Sequence, residues 1–287
     1  MVYWSYGILY VLLAPFAGGL LAGVDRKLTA RMQGRKGPPL LQPFYDLVKL
    51  FSKQNAVVNA TQKVLIFFYL FFCVFTGFIF FIGGDLLLVV FSFTLASVFL
   101  VLCAYSVNSP FSSIGASREL MQILCYEPAV LLTAVGMYMI SDSFQVSAIV
   151  TTNLPNIVML PGVFLVFLYI LAIKLRKSPF DISTSHHAHQ EIVKGVTTEI
   201  SGRSLGLVEI AHWYENVLIW GLVYLFFGFA SPWSPLLFAA AFVLIFFLEV
   251  LLDNVCARMK WQFMLKSSWI LTATVGFLNL LLLSIVF

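Results

Sequence analysis

The sequence predicts an all-α polytopic membrane protein, with about eight transmembrane helices, a short amphipathic surface helix and both termini external. Three observations carry that reading. Of the 287 residues, 61% are hydrophobic and only 10% charged, whereas soluble domains are charged at about one residue in four. The apolar runs are too long for barrel strands and lack period-two alternation, so helices must satisfy the backbone in lipid. All 17 Lys and Arg residues fall in four segments that an eight-helix threading puts on one side.

Taken in order, the runs long enough to cross a bilayer are 2–24, 64–82, 86–107, 120–141, 157–174, 205–229, 233–252 and 267–287. The first run carries no charge, no basic leader and no small-residue cleavage site, and reads as a retained span. Breaks fall at Gly83-Gly84-Asp85, Asn108-Ser109-Pro110, Asn153-Leu154-Pro155-Asn156 and Ser231-Pro232. The whole of 1–287 reads as one transmembrane domain with no room for a soluble one and no internal repeat. The basic segments are 25–63, 108–119, 174–204 and 253–266; the other side carries only Asp85 and Asp142. By the positive-inside rule the basic face is cytoplasmic, in a multi-pass protein of the cell membrane.

Residues 25–53 are the most basic stretch, with Arg26, Lys27, Arg31, Arg35, Lys36, Lys49 and Lys53 against Asp25 and Asp46. Gly34-Arg35-Lys36-Gly37-Pro38-Pro39 cannot continue a helix. Beyond it Leu41, Phe44, Leu47, Val48, Leu50 and Phe51 recur at helical spacing, which predicts a helix lying along the membrane surface. A topology anchor explains part of this segment, but not its ordered Gly/Pro chemistry.

Glu127, Glu209, His212, Glu215 and Glu249 lie at or within predicted helices. A charge at a helix centre costs on the order of 3 kcal/mol, so a retained one usually faces a cavity or a partner. Glu127 is placed about two turns into the fourth helix. Glu209, His212 and Glu215 are spaced by three and climb about 9 Å along one flank, a distance water can bridge. They suggest a proton path, with interfacial solvation as the alternative; Glu249, near a helix exit, reads as the latter. Segment 177–204 adds Asp181, His186, His187, His189, Glu191 and Glu199. A histidine cluster can bind zinc only with a converging fourth ligand. Imidazoles beside carboxylates suit a proton relay or a polar docking loop. Cys73, Cys103, Cys125 and Cys256 form no CxxC pair and read as packing residues. Neither a P-loop, a dinucleotide glycine motif nor a nucleophile triad is present, and the basic segments lack the stacking aromatics of nucleic-acid binding.

Three motifs stand in order: DRK-x3-R-x-Q-x-R-x-GP-x-LLQP-x2-D-x2-KL from Asp25 to Leu50, GASRE-x2-Q-x3-YE from Gly115 to Glu127, and PFD…E-x2-KG-x3-E-x-SG from Pro179 to Gly202. Together they resemble the membrane subunit of respiratory complex I that contacts the peripheral arm, its H-type subunit. They are more similar to the corresponding subunit of group 4 energy-converting NiFe hydrogenases, the Ech and Mbh type. Several departures favour the latter. Gly37-Pro38-Pro39 runs straight into Leu40-Leu41-Gln42-Pro43 without the longer spacer of complex I. His187 and His189 stand where glutamates are expected before Glu191, His212 occupies a common Glu position, and Asp253-Asn254-x3-Arg258 resembles the hydrogenase pattern.

The resemblance implies an anchor and coupling subunit of a ferredoxin-dependent, hydrogen-evolving complex, itself non-catalytic. It links redox chemistry in the peripheral arm to proton or sodium translocation. A NiFe centre and iron–sulfur clusters are expected in partner subunits, and none in this chain. The implied partners are the soluble hydrogenase large and small subunits, a ferredoxin-like iron–sulfur subunit, antiporter-like membrane subunits and the bilayer. The proton path would comprise Glu127, Asp181, His187, His189, Glu191, Glu199, Glu209, His212 and Glu215. Arg26, Lys27, Arg31, Gln33, Arg35, Gln42, Asp46 and Arg118 would dock the arm. A quinone-site subunit of complex I, a sulfur-reducing relative and a stand-alone ion transporter are the other readings; the histidines argue against transferring quinone binding.

Overall fold

The computed structural model describes residues 2–54, 59–184 and 194–286. Helix α1 spans Val2–Met32, α2 Gln42–Ser52, α3 Ala60–Ile82, α4 Leu86–Tyr105 and α5 Pro110–Ser141. Two single turns follow, α6 Val146–Ile149 and α7 Asn156–Met159, then α8 Pro161–Lys174, α9 Gly202–Phe227 and α10 Ser234–Val255. The chain ends in a run made of α11 Trp261–Leu271, a π-turn Thr272–Gly276 and α12 Phe277–Val286. Six of these helical runs are long and apolar enough to cross a membrane. The two remaining predicted spans correspond to α8, of 14 residues, and α9, of 26. No strand occurs among the described residues, apart from an isolated bridge between Asp85 and Gln145.

The turn chemistry sets most element ends. Gly83 takes a left-handed φ of 84° and closes α3 by donating its N–H to Ile79 and Phe80. Two residues on, the Asp85 carboxylate accepts from the N–H groups of Leu87 (2.8 Å) and Leu88 (3.2 Å) and caps α4. Pro161 opens α8, and the Asn279 side chain of α12 supplies an acceptor to the N–H groups of Gly162 and Val163. A helix start away from water thereby has its orphan donors satisfied.

Two predicted loops are shorter than expected. α1 runs past the predicted end at 24 to Met32, because Asp25 to Met32 contains no breaker and charge alone does not stop a helix. It stops before Gly34 and Gly37, whose φ values of 72° and 73° lie where only glycine is at ease. α5 begins at Pro110 rather than near 120, since proline in the first turn starts a helix instead of breaking it. Arg118 and Glu119 are therefore helical, and Glu127 lies about five turns into α5, not two.

Lipid-facing positions are apolar, among them Leu12, Phe16, Phe67, Leu244 and Ile285. The centre is built from α3, α4, α5, α8 and α9, whose buried residues include Tyr69, Leu100, Met137, Ile170 and Phe226. α1 is locked to α9 by two tyrosines: Tyr10 donates to the Tyr214 carbonyl (3.0 Å) and Tyr214 to the Val11 carbonyl (2.6 Å). The predicted surface helix is α2. Its Phe44 packs on Trp213 with ring centroids 5.2 Å apart, while Tyr45 and Val48 are exposed.

Candidate functional site

The chain leaves α8 as Lys174-Leu175-Arg176-Lys177, and its three cations point into three different carboxylate groups. Lys174 Nζ lies 2.9 Å from Glu215 of α9. It also donates to Ser97 Oγ of α4 (3.1 Å) and to the Tyr126 hydroxyl of α5 (3.0 Å), and sits 3.9 Å from the Phe93 ring centroid. Arg176 is 2.7 Å from Glu119 of α5, with side chains 16% and 4% exposed. Its other nitrogen faces the His212 ring, 3.1 Å from Nε2 and 3.3 Å from Nδ1. Lys177 pairs with Asp25 of α1 and lies 3.6 Å from Asp253 of α10. Arg176 has φ +52°, so the backbone turns sharply here and presents neighbouring side chains in opposed directions.

Lys174 and Arg176 are joined through His212 and Glu215. His212 Nδ1 is 3.2 Å from Glu215 Oε2 and 2.9 Å from the Tyr69 hydroxyl, which itself donates to Glu215 at 3.2 Å. Arginine can only donate, and its nitrogen lies within reach of both ring nitrogens, so His212 stands between the Arg176 guanidinium and the Glu215 carboxylate. The two cations face the two carboxylates Glu119 and Glu215. A continuous hydrogen-bonded line then runs Glu119–Arg176–His212–Glu215–Lys174–Tyr126–Ser97. Arg176 lies in the turn after α8; burial alone would favour its neutral form, but Glu119 and Glu215 outweigh that and hold the guanidinium above its ordinary value.

The predicted path residues are brought together only in part. His212 and Glu215 are central. Glu127 lies next to Tyr126 in sequence, is half-buried, and accepts from Thr94 Oγ1 at 3.0 Å; Thr94 is one turn from Ser97 on α4. Glu209 is half-buried and joins neither network among the described residues. Asp181 is buried, and Arg258 donates to its carbonyl. The Glu199 carbonyl accepts from the buried Gln62 side chain (3.3 Å). His186, His187, His189 and Glu191 lie outside the described residues.

Segment 180–183 lies against α5. Gln122 donates to the Phe180 carbonyl (2.7 Å), Ser183 donates to Gln122 (2.7 Å), and Arg118 donates to the Ile182 carbonyl (3.4 Å). The motif glycines meet there too: a Cβ on Gly115 would come 2.5 Å from Gly195, and one on Gly195 would come 1.9 Å from the Ser183 oxygen. A cavity of about 580 Å³ beside this segment is lined by Arg118, Arg258, Lys260 and Trp261 among others.

Of the predicted docking residues, Arg26, Arg31, Gln33 and Arg35 are exposed and Lys27 is half-buried. Arg26 and Gln42 both donate to Asp46, each at 2.9 Å, tying α1 to α2. Gln33 donates to Asn254 (3.0 Å) and accepts from Arg35. Arg118 stands apart from this surface, on the cavity side. By sequence Lys174, Arg176 and Lys177 read as topological charges, and Glu119, Tyr69 and Tyr126 have no role. The readable signal is three cations within four residues directly at the end of an apolar run, more than orientation requires. Among the described residues no three His, Cys, Asp or Glu side chains converge as metal ligands.

Three comparisons place the chain. It is 27% identical over 298 residues to hydrogenase-4 component C of Escherichia coli, covering 93% of this chain and 90% of that protein. It is also 27% identical over 297 residues to an H-type subunit of the NADH-quinone oxidoreductase of Geobacter metallireducens, covering 91% and 89%. Its fold is shared with a chain of the membrane-bound sulfane sulfur reductase, an archaeal respiratory membrane complex, at a TM-score of 0.83 and 22% identity over 97% of this chain and 100% of that one. The NADH dehydrogenase family matches residues 5–284, so this multi-pass membrane protein belongs to the NADH dehydrogenase family.

Proposed function

We propose that the chain is the membrane anchor and coupling subunit of a ferredoxin-dependent, hydrogen-evolving NiFe hydrogenase complex. It would link reduction of protons in a soluble arm to movement of protons or sodium through antiporter-like membrane subunits. The observation that carries the coupling role is the buried line from Glu119 to Ser97. A bare anchor has no use for two ion pairs inside an apolar bundle, where each charge costs several kcal/mol to desolvate. The line begins beside segment 180–183, under the basic surface, and leads inward to α4 and α5. A shift of that segment under a docked arm would move Arg176 and Lys174, and with them the charges that hold Glu215 and His212. Glu127, Asp181, His187, His189, Glu191, Glu199 and Glu209 would extend the path toward the arm. Arg26, Lys27, Arg31, Gln33 and Arg35, on the exposed platform, would receive it.

The hydrogenase assignment is supported by the relative named hydrogenase-4 component C and by His212 standing in the centre of the network, where the complex I pattern has an acid. The NADH-quinone oxidoreductase relative favours a second reading, with a quinone as electron acceptor on the same scaffold. Purification of the complex from its native membrane separates them. Nickel in the preparation and hydrogen evolution from reduced ferredoxin support the first reading. Quinone reduction without hydrogen chemistry replaces it with the second, and ion transport by the isolated chain in vesicles overturns both.

A further inference from the structure

The third cation of the segment opens onto a different group of acids. Lys177 lies between Asp25 on α1 and Asp253 on α10, 3.6 Å from the latter, and Asp253 accepts a hydrogen bond from the Ser178 N–H at 2.8 Å. One turn back along α10 lies Glu249, only 1% exposed. Among the described residues, no donor reaches either of its carboxyl oxygens, nor the buried second oxygen of Asp25. The charges close enough to act on Glu249 are Lys177, Asp253 and Asp25. The ring contacts of α9 with α10 are Trp220 on Phe242 and Phe246 and Tyr224 on Phe238, and of these rings only the Tyr224 phenol titrates.

Three carboxyl groups thus share one ammonium, and Asp25 and Asp253 have already taken it. An ionised Glu249 would sit buried with neither a hydrogen bond nor a counter-ion of its own, the costliest state open to a carboxyl group. A protonated Glu249 removes that charge and leaves the Lys177 bridge intact. We propose that Glu249 holds a proton as a neutral carboxylic acid, and that Lys177 controls its release. When segment 174–177 shifts and the Lys177 ammonium swings one helical turn toward Glu249, the acid O–H bond breaks. The proton passes to water at the basic end of α10, and the carboxylate left behind pairs with Lys177. Return of Lys177 to Asp25 and Asp253 restores the acid by uptake of one proton. Because Arg176 and Lys177 are adjacent, the same backbone movement acts on the Glu119–His212 line and on this second site. The proposal concerns this chain's own groups and stands whichever electron acceptor the complex uses.

Infrared difference spectroscopy on the intact complex tests it. At neutral pH a protonated-carboxyl stretch is expected that shifts on carbon-13 labelling of glutamate carboxyls and is lost in Glu249→Gln but kept in Glu215→Gln. In Lys177→Gln the band should persist to higher pH, because the competing cation is gone. If Glu249→Gln fails to assemble, the displaced pH response of the glutamate band in Lys177→Gln carries the test. Absence of any glutamate acid band at neutral pH, a band unchanged in Glu249→Gln, or a band that appears only when sodium is withdrawn would overturn the proposal; the last would make the site a sodium site.

Discussion

Arg26 and Arg176 each hold a carboxylate within hydrogen-bonding distance, Asp46 at 2.9 Å and Glu119 at 2.7 Å. The first pair is 49% and 40% exposed; the second is 16% and 4% exposed. In the exposed pair water competes for both charges, and little free energy depends on the contact. In the buried pair water has been removed, so each charge is stable only because the other is present. The platform at 25–53 can therefore change partners at low cost, which suits a docking surface. The 174–177 segment cannot lose a partner without moving charge somewhere else, which suits a relay. Basic residues that orientation rules treat alike are separated by burial into two kinds of device.

The largest effect is expected where the buried pairing is broken. Arg176→Met strands Glu119 and deprives His212 of its donor, and should destabilise the chain by about 3–5 kcal/mol. Thermal unfolding of the purified complex and its yield in membranes measure this. Combining Arg176→Met with Glu119→Gln should recover at least about 1 kcal/mol relative to the sum of the single changes, since the two positions are in contact. Strict additivity would break the comparison, because it would make the buried pair behave like two surface residues.

Next come changes that keep shape and remove a titrating group. Glu215→Gln strands the buried Lys174 and should lower stability as Arg176→Met does; in the complex that assembles it should cut ion translocation per electron transferred by about tenfold or more, the rate equivalent of about 1.4 kcal/mol. Glu127→Gln should act in the same direction and more weakly, because among the described residues Glu127 has a single side-chain hydrogen bond, from Thr94, while Glu215 meets Lys174, His212 and Tyr69. Translocation in vesicles, measured alongside the redox rate, reads both. A Glu127→Gln complex with unchanged coupling would remove that residue from the path.

What is legible in the sequence follows from the range over which each signal acts. Gly83-Gly84-Asp85 announces a helix end and a helix start because both are set by the backbone within three residues, and the observed caps are those groups. The amphipathic α2 is legible for the same reason: its period is local. Pro110 misleads because proline signals a start as well as a stop, and only the helix that follows tells which. The Lys174–Glu215 and Arg176–Glu119 pairs are not legible. Their partners lie on α9 and α5, and no periodicity along one helix says which residue of another it will meet. Glu209, His212 and Glu215 show the limit well. Spacing by three puts them on one flank, but only His212 and Glu215 meet the cations leaving α8.

The smallest effect is expected at the platform, and its pH dependence sharpens the contrast. Partial burial would push the Asp46 carboxyl up, but the hydrogen bonds from Gln42 and Arg26 and the charges of Arg26 and Lys49 outweigh it and hold the carboxyl below its ordinary value. A carboxylate depressed on folding adds stability above its unfolded pKa of about 3.9, and that contribution is lost as pH falls through the lower folded value. The Arg26–Asp46 contact should therefore be fully formed at neutral pH and loosen only in acid. Arg26→Gln should cost under about 1 kcal/mol at neutral pH, with the difference shrinking as salt is raised. At low pH, once Asp46 is protonated, the variant and the unaltered chain should unfold alike. A neutral-pH loss as large as that of Arg176→Met would mean that Asp46 is desolvated in the assembled complex. The platform would then be a buried interface of the Arg176 kind rather than an exposed surface awaiting a partner.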